Sequence, residues 1–312
     1  MAANIVTLTM NPAIDVSTSV ARISPAHKLR CAEPHRDPGG GGINVARVLQ
    51  RYGADVLAVY VAGGATGSLL RQLVRREGIA DLVIEEPQET REDLTVLETE
   101  TGDQFRFVMP GPAIGAETWR AALDAIDNLA APRFVVASGS LPLGVPVDFY
   151  ARMARSARKS DTKLVVDTSG AALEAALAEK PHLIKPNLRE LGELVGAPLA
   201  HETEWRNAAA KLVADGKAEI VALTLGDKGA LLATKDAIWA ADTPKVNVVS
   251  TVGAGDSFLA VLIWSFASGL GPEAALRQAV AAGSAALLSP GTDLCHPADV
   301  ERLAADVATR RL

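Results

Sequence analysis

Cysteine, aromatic residues and long apolar runs are scarce in this chain, and each scarcity removes a class of protein. Only Cys31 and Cys295 are present, far apart, so no disulfide framework organises the fold and both read as reduced thiols. No apolar run reaches the ~18 residues of a membrane span. The N-terminal stretch MAANIVTLTMNP lacks the basic-then-apolar order of a secretory leader. The expectation is a cytoplasmic protein with no membrane partner. Five histidines, His27, His35, His182, His201 and His296, show neither i,i+4 pairing nor a cysteine at metal spacing, which leaves no zinc pattern. The G-x-S-x-G elbow of serine hydrolases is also missing. Charge of either sign is modest: 31 Lys and Arg stand against 37 Asp and Glu, and aromatics make up 4%. A net charge of −6 with so few stacking side chains argues against a nucleic-acid partner. Phosphate chemistry, if present, must come from local clusters of Lys, Arg and backbone N–H groups.

What is there is a regular alternation. The chain has 312 residues, 48% of them hydrophobic, enough for a large buried core. Short apolar runs at 5–10, 56–61, 134–137, 163–166, 183–184, 220–225 and 230–233 predict strands. Segments of helical periodicity at 44–52, 68–77, 116–129, 146–159, 202–215, 257–268, 272–289 and 297–309 predict helices. Strands and helices in turn mean an α/β fold with a mostly parallel sheet covered on both faces, a three-layer α/β/α arrangement. Two stretches, about 14–36 and 90–108, read instead as polar, alternating strands. Such strands suit a small antiparallel β lid with one wet face. With no Ser/Gly linker, no low-complexity run and no internal repeat, residues 1–312 are expected to form a single domain with that lid.

Several short motifs could carry chemistry. In STVGAGDSF, residues 250–258, a β-rich run (246–249) precedes Gly253-Ala254-Gly255, and an apolar helix follows. Glycines let the backbone turn sharply, and a helix start presents unpaired N–H groups that favour anions. Asp256 at the same place would repel a phosphate unless a hydroxyl lies between them. It would then accept the hydroxyl proton while the N–H groups of Ala254, Gly255 and Asp256 stabilise a phosphoryl group in flight. The plainer reading of Asp256 is a helix cap. DPGGGGINVARVLQRYG (37–53) opens a helix on four glycines; Gly40, Gly41 and Asn44 could lie against a ligand, or the run could be a flexible turn. It matches neither a dinucleotide fingerprint nor a Walker A loop. Asp15 in NPAID follows the first strand, where open α/β sheets bind ligands, or it caps a turn. In IKPNLRE, Lys185 could meet nucleotide phosphates, and Asn187 and Glu190 could hold Mg2+ through waters, or the three could be a cap with solvated charges. AGGATG (62–67) is another glycine turn before a helix. SGSLP offers Ser138 and Ser140, and LTLGDKGA (223–230) reads as strand, turn, strand beside a possible adenine site. Lys28, Arg30, Arg91 and Arg106 in the lid segments are candidates to grasp a sugar phosphate, or are solvated surface cations.

Taken together, NPAID, PGGGGINVAR, AGGATG, SGSLP, IKPN..E and TVGAGDS resemble, in order and spacing, the ribokinase-like (PfkB) carbohydrate kinases, over essentially the whole chain. GGGGINVAR, KLRC, FRFVMPG and GT-LC are similar to its minor, PfkB-type ATP-dependent 6-phosphofructokinase group; sister groups typically carry Lys where this chain has Gly41. The resemblance implies transfer of the γ-phosphoryl group of MgATP to the C1 hydroxyl of fructose 6-phosphate. It implies Asp256 as base, with Gly253, Ala254 and Gly255 as anion hole. Asp15, Lys28, Gly40, Gly41, Asn44, Arg91 and Ser140 would hold the sugar phosphate, Lys28 reaching from a partner subunit. Lys185, Asn187, Thr224, Gly226, Asp227, Lys228 and Gly229 would line the ATP site, and Glu190 would serve Mg2+. A K+ ion would sit by Ser250, Val252, Ala286, Ser289, Gly291 and Asp293. Two departures weigh on that K+ site: Ser250-Thr251 stands where relatives often have Asp-Thr, and Ser289 and Asp293 differ from close relatives. A homodimer through the lid is implied as well. The alternatives are a 1-phosphofructokinase, a tagatose-6-phosphate kinase or a nucleoside kinase of the same fold, or a non-catalytic sugar-phosphate or nucleotide sensor. The lid cations favour a phosphorylated substrate over a nucleoside. Loss of the base or the anion-hole glycines would mark a sensor, and all are present.

Overall fold

A computed structural model describes residues 4–25 and 27–312. Its strands are β1 (Ile5–Thr9), β2 (Ala13–Val20), β3 (His35–Gly39), β4 (Val56–Ala62), β5 (Ala80–Glu85), β6 (Arg91–Glu98), β7 (Gln104–Phe107), β8 (Phe134–Ser138), β9 (Lys163–Asp167), β10 (Leu183–Ile184), β11 (Ile220–Thr224), β12 (Ala230–Ala233), β13 (Ile238–Ala241) and β14 (Thr309–Arg311). Its helices are α1 (Gly41–Arg51), α2 (Gly64–Arg76), α3 (Ala116–Asp127), α4 (Phe149–Ala157), α5 (Gly170–Leu177), α6 (Leu188–Val195), α7 (Glu202–Ala214), α8 (Ala254–Ala267), α9 (Pro272–Ala286) and α10 (Pro297–Ala304).

Ten strands form one sheet in the order β14-β13-β12-β11-β10-β9-β8-β1-β4-β5. From β5 to β11 the pairing is parallel; β12, β13 and β14 complete it antiparallel. β1 (IVTLT) and β8 (FVVAS) are buried at every residue, as strands covered on both faces must be. One apolar core lies between the sheet and α1, α2, α8, α9 and α10, including Ile43, Leu70, Leu262 and Leu276. The second lies between the other face and α3 to α7, including Trp119, Phe149, Leu173 and Trp205. α8 is apolar nearly all round and is sandwiched between α1 and α9.

The remaining four strands form a small separate sheet, β3-β2-β6-β7. Its outer pairs are antiparallel and its central pair, β2 with β6, is parallel. Residues alternate between its faces. Asp15 lies opposite Asp93, and Thr95 opposite Arg106, so these polar residues share one face. The other face carries Ile14, Val16, Leu94, Val96, Phe105 and Phe107. Its root is closed, with Ile14 buried; its outer end is not, with Phe107 47% exposed.

Several predicted boundaries move. Residues 246–249 form no strand: they run as a loop, held by Val249 N–H to Leu287 carbonyl at 2.7 Å, and pair with no strand among the described residues. Residues 28–34, expected as part of an extended polar strand, are irregular up to His35. The helix expected over 297–309 ends at Ala304, and Thr309–Arg311 pair with β13 instead. α1 begins at Gly41 and not at Asn44, since the glycines themselves are its first residues.

Candidate active site

The strand order reverses around β1, with β4 on one side and β8 on the other, and ligands of open α/β sheets bind at such a switch point beyond the strand ends. A cavity of about 310 Å³ lies there. Its floor comes from the residues that follow the strands: Ser138, Gly139 and Ser140 after β8, Asp167, Thr168 and Ser169 after β9, and Glu190 from α6. One wall is Gly40, Gly41 and Asn44 at the start of α1, with Val252, Gly253 and Asp256 at the start of α8. The other wall is the polar face of the small sheet, with Asp15, Arg91, Asp93 and Arg106.

Asp256 is the third residue of α8 and does not cap it; the cap position is Gly253, at φ 76°. A Cβ on Gly253 would come within 2.3 Å of Leu294 Cδ2, so the turn admits only glycine on both counts. Asn44 Nδ2 donates to Asp256 Oδ2 at 2.9 Å, while Asn44 Oδ1 has no partner among the described residues. Burial first, then the charge of Asp167, pushes the Asp256 carboxyl up to about 6, against Asn44, Lys185 and Arg106. A carboxylate this basic is a competent proton acceptor near neutral pH.

The glycine run is no flexible turn. A Cβ on Gly41 would meet Ser138 Oγ at 2.3 Å, and one on Gly42 would meet the Leu8 carbonyl at 2.6 Å. The main chain of α1 therefore lies directly against the ends of β1 and β8. Asp15 lies inside β2 and caps nothing. Burial first, then Asp93 opposite it, raises its carboxyl to about 6, against Arg106, Arg47 and Arg91. Arg91 is locked: Nη1 donates to both oxygens of Asp93 and to the Met109 carbonyl, and Nη2 to the Asn11 carbonyl. Its Nε is buried without a partner among the described residues, and the side chain borders the cavity. Ser140 Oγ accepts from Asn11 Nδ2 at 3.1 Å.

Lys185 is buried and paired with Asp167 at 3.0 Å. Burial alone would lower its ammonium, but Asp167, helped by Asp256 and Glu190, outweighs this and holds it above the ordinary lysine value. Its Nζ lies 3.5 Å from where a Gly255 side chain would start, so its charge stands under the turn at Gly253 to Gly255. Asn187 and Glu190 form a reciprocal capping box at α6: each side chain bonds the other's backbone N–H at 2.9 Å. Glu190 also borders the cavity, and its other oxygen lies 3.9 Å from Arg189. Thr224, Gly226 and Gly229 lie outside the cavity, and Asp227 and Lys228 border a second one of about 410 Å³ with Trp205 and Arg310. Lys28 and Arg30 are exposed and do not join Arg91 and Arg106 within the chain.

Ser250, Val252 and Gly291 do converge: Ser250 Oγ donates to the Gly291 carbonyl at 3.1 Å and accepts from Val252 N–H at 3.3 Å. Ser289 N–H reaches the Ala286 carbonyl at 3.3 Å. The Asp293 carboxylate is engaged elsewhere, by Arg51 and His296. Asp93, Asp167, Thr168 and Ser169 escaped the reading of the sequence. Asp167 had a visible signal, a carboxylate at a strand end in VVDTSG, the same position that singled out Asp15. Asp93 had only its alternation with Arg91 along β6.

Among the described residues no helix is long and apolar enough to cross a membrane, and no group of three metal-binding side chains occurs. A family model described as pfkB family carbohydrate kinase matches residues 4–299. The ATP-dependent 6-phosphofructokinase isozyme 2 of Mycobacterium tuberculosis (strain ATCC 25618 / H37Rv) is 45% identical over 299 residues, 96% of this chain and 88% of that protein. A 1-phosphofructokinase of Bacillus subtilis (strain 168) is 34% identical over 308 residues, 99% of this chain and 100% of that protein. Crystal structures of phosphofructokinase-2 from Escherichia coli superpose with TM-scores of 0.94, in complex with potassium, and 0.93, in complex with substrates and products. Both are 39% identical and cover 97% of this chain and 99% of that one. A buried, raised carboxyl beside a glycine-built helix start, on a ribokinase-like frame matched along nearly its whole length, leads to one conclusion: the chain belongs to the pfkB family of carbohydrate kinases and is a phosphotransferase.

Proposed function

We propose that this enzyme is an ATP-dependent 6-phosphofructokinase. The observation that carries the reading is Asp256: a buried carboxylate held up to about 6, oriented by Asn44, at the third residue of a helix whose glycine start opens on the same cavity as Arg91 and Arg106. Arg91, fixed by Asp93, Met109 and Asn11, meets the 6-phosphate together with Arg106, which lines the same cavity. Asp15 and Ser140 hold sugar hydroxyls. The C1 oxygen forms a bond to the γ-phosphorus as the bond to the β–γ bridging oxygen breaks. Asp256 takes the hydroxyl proton, ADP carries away the electron pair, and the N–H groups of Ala254 and Gly255 steady the charge in flight.

Glu190 and Asp167 fit a Mg2+ that keeps its waters, since one or two carboxylates with substrate phosphates suffice for that ion. When bound, Mg2+ offsets the charge of the nucleotide phosphates. A K+ ion beside α8 would draw on main-chain carbonyls and the Ser250 hydroxyl, because the Asp293 carboxylate is committed to Arg51. Lys185, with Thr224 and Gly226 to Gly229 beyond it, would face the nucleotide. The exposed apolar end of the small sheet, Phe105 and Phe107, supports a homodimer through that sheet, which would also bring a partner's Lys28 near the substrate.

The resemblance to a 1-phosphofructokinase supports a second reading, with fructose 1-phosphate as acceptor. Gly41 argues for the first: a side chain there would displace Ser138. Comparison of kcat/KM for fructose 6-phosphate, fructose 1-phosphate and tagatose 6-phosphate with MgATP tests the proposal. Fructose 6-phosphate is expected to lead, and a preference for either competitor overturns the assignment.

A further inference from the structure

We infer that Arg47 and Arg51, four positions apart on α1, are positioning residues that hold the loop 290–295 against the turn at Gly253 and so set the anion-accepting N–H groups of α8. The inference rests on the reading of α8 as the site of phosphoryl transfer.

The loop is tied at almost every peptide. Arg47 Nη1 donates to the Thr292 carbonyl at 3.0 Å, and Arg51 Nη1 to the carbonyls of Asp293 at 2.6 Å and Cys295 at 3.2 Å. Ser250 Oγ takes the Gly291 carbonyl, and Cys295 N–H donates to Ser257 Oγ, inside α8, at 3.3 Å. Thr292 Oγ1 donates to Asp37 Oδ2 at 2.7 Å, and Asp37 in turn accepts from Arg47 Nη2 at 3.3 Å. One guanidinium thus joins the loop to β3 of the small sheet, and the other joins it to the body of α1.

The loop holds a backbone conformation that needs such restraint. Leu294 stands at φ 51°, in the left-handed region that a bulky side chain avoids, yet it is 1% exposed. A strained residue of this kind persists only where its surroundings over-determine it. Its Cδ2 fills the space that a side chain on Gly253 would occupy. Leu294 is therefore the wall behind the turn, and the rigid, multidentate forks of the arginines keep that wall in place. Neither arginine borders the cavity, so both act through the loop and touch no substrate.

Freeing the loop lets Leu294 relax from its strained conformation and the turn at Gly253 loses its backing. Ground-state binding of the sugar phosphate, made by α1 and the small sheet, stays. Alignment of the N–H groups with the migrating phosphoryl group does not, and a misplacement of about 1 Å costs about 10²-fold in rate.

The test uses Arg51→Ala and Arg51→Lys, because Arg51 is partly exposed and its loss threatens folding less than that of Arg47. Steady-state kinetics give kcat and KM; calorimetry gives Kd for fructose 6-phosphate alone, and for MgADP with aluminium fluoride in the presence of the sugar phosphate. Arg51→Ala is expected to lower kcat by about 10²-fold and to weaken the aluminium fluoride complex by a similar factor, leaving Kd for the sugar phosphate within about twofold. Arg51→Lys, able to reach one carbonyl, restores part of both. An unchanged kcat, or a parallel loss of kcat and sugar-phosphate binding, overturns the inference. If Arg51→Ala does not fold, Leu294→Ala must show the same split between ground-state and transition-state affinity. A wild-type enzyme inactive on every phosphosugar defeats the functional reading itself; an active wild type with fully active variants defeats only the positioning role.

Discussion

Asp256→Asn should make a slower but more stable enzyme. The wild-type carboxylate is held up to about 6 from an ordinary value of 3.8, roughly two powers of ten in proton affinity. At ~1.4 kcal/mol per power of ten, keeping it ionised in the folded state costs up to about 3 kcal/mol above that pH, so about 1–3 kcal/mol after local relaxation. The amide carries no such cost. Its NH2 group also meets an acceptor already waiting, Asn44 Oδ1, which is unpartnered in the wild type, while its carbonyl still accepts from Asn44 Nδ2. For a carboxyl raised by folding, the stabilising contribution is present below 3.8 and lost as pH rises through about 6. The variant should therefore gain about 2–6 °C in thermal midpoint at pH 8, and the gap should close towards pH 5, where native Asp256 regains its proton. Over the same series kcat should fall at least ~10²-fold, with MgATP affinity nearly unchanged. Scanning fluorimetry at both pH values and steady-state kinetics suffice. An asparagine variant that is less stable at pH 8, or a gap independent of pH, refutes the view of Asp256 as a buried, destabilised base.

Three further outcomes are expected. In the wild type, log kcat/KM plotted against pH should fall on the acid side of a limb near 6, where both Asp15 and Asp256 take up protons; a profile flat down to pH 5 would remove both from their roles. Gly253→Ala must place a methyl 2.3 Å from Leu294 Cδ2 at φ 76°, so activity should drop by more than ~10-fold and stability by about 1–3 kcal/mol, read by kinetics and urea denaturation; an unperturbed variant contradicts the tight wall described above. Lys180→Gly, just past α5 at φ 55° and far from the cavity, should raise stability by about 1 kcal/mol without altering kcat, because only the left-handed strain is relieved; a loss of stability would show that the Lys180 side chain matters more than its backbone.

The parts of this fold legible in the sequence are those set by local patterns. β1, β8 and β9 read as apolar runs because both faces are covered, and helices such as α1 and α2 show one apolar stripe. What escaped depends on partners distant in sequence. Val246 to Val249 has the composition of a strand and no neighbour to pair with, and β propensity without a partner decides little. The four glycines could be read as a ligand-facing main chain or a flexible turn, and what separates the two is that Gly41 and Gly42 press on Ser138 and Leu8, contacts no local pattern encodes. Asn187 and Glu190 posed the opposite difficulty: capping and ligand-facing roles were offered as alternatives, and Glu190 caps α6 while also bordering the cavity.

The same non-local logic settles why a carboxylate stands at an anion-accepting helix start. The N-terminus of α8 favours negative charge and alone would make Asp256 a weak base. Burial and Asp167 act the other way and prevail, while Lys185 beneath and Arg106 across the cavity limit the rise. Of these influences only Arg106 belongs to the small sheet, and it also lowers Asp15. Arg106 thus links the small sheet to both carboxyls: its charge favours the ionised form of Asp256 and of Asp15.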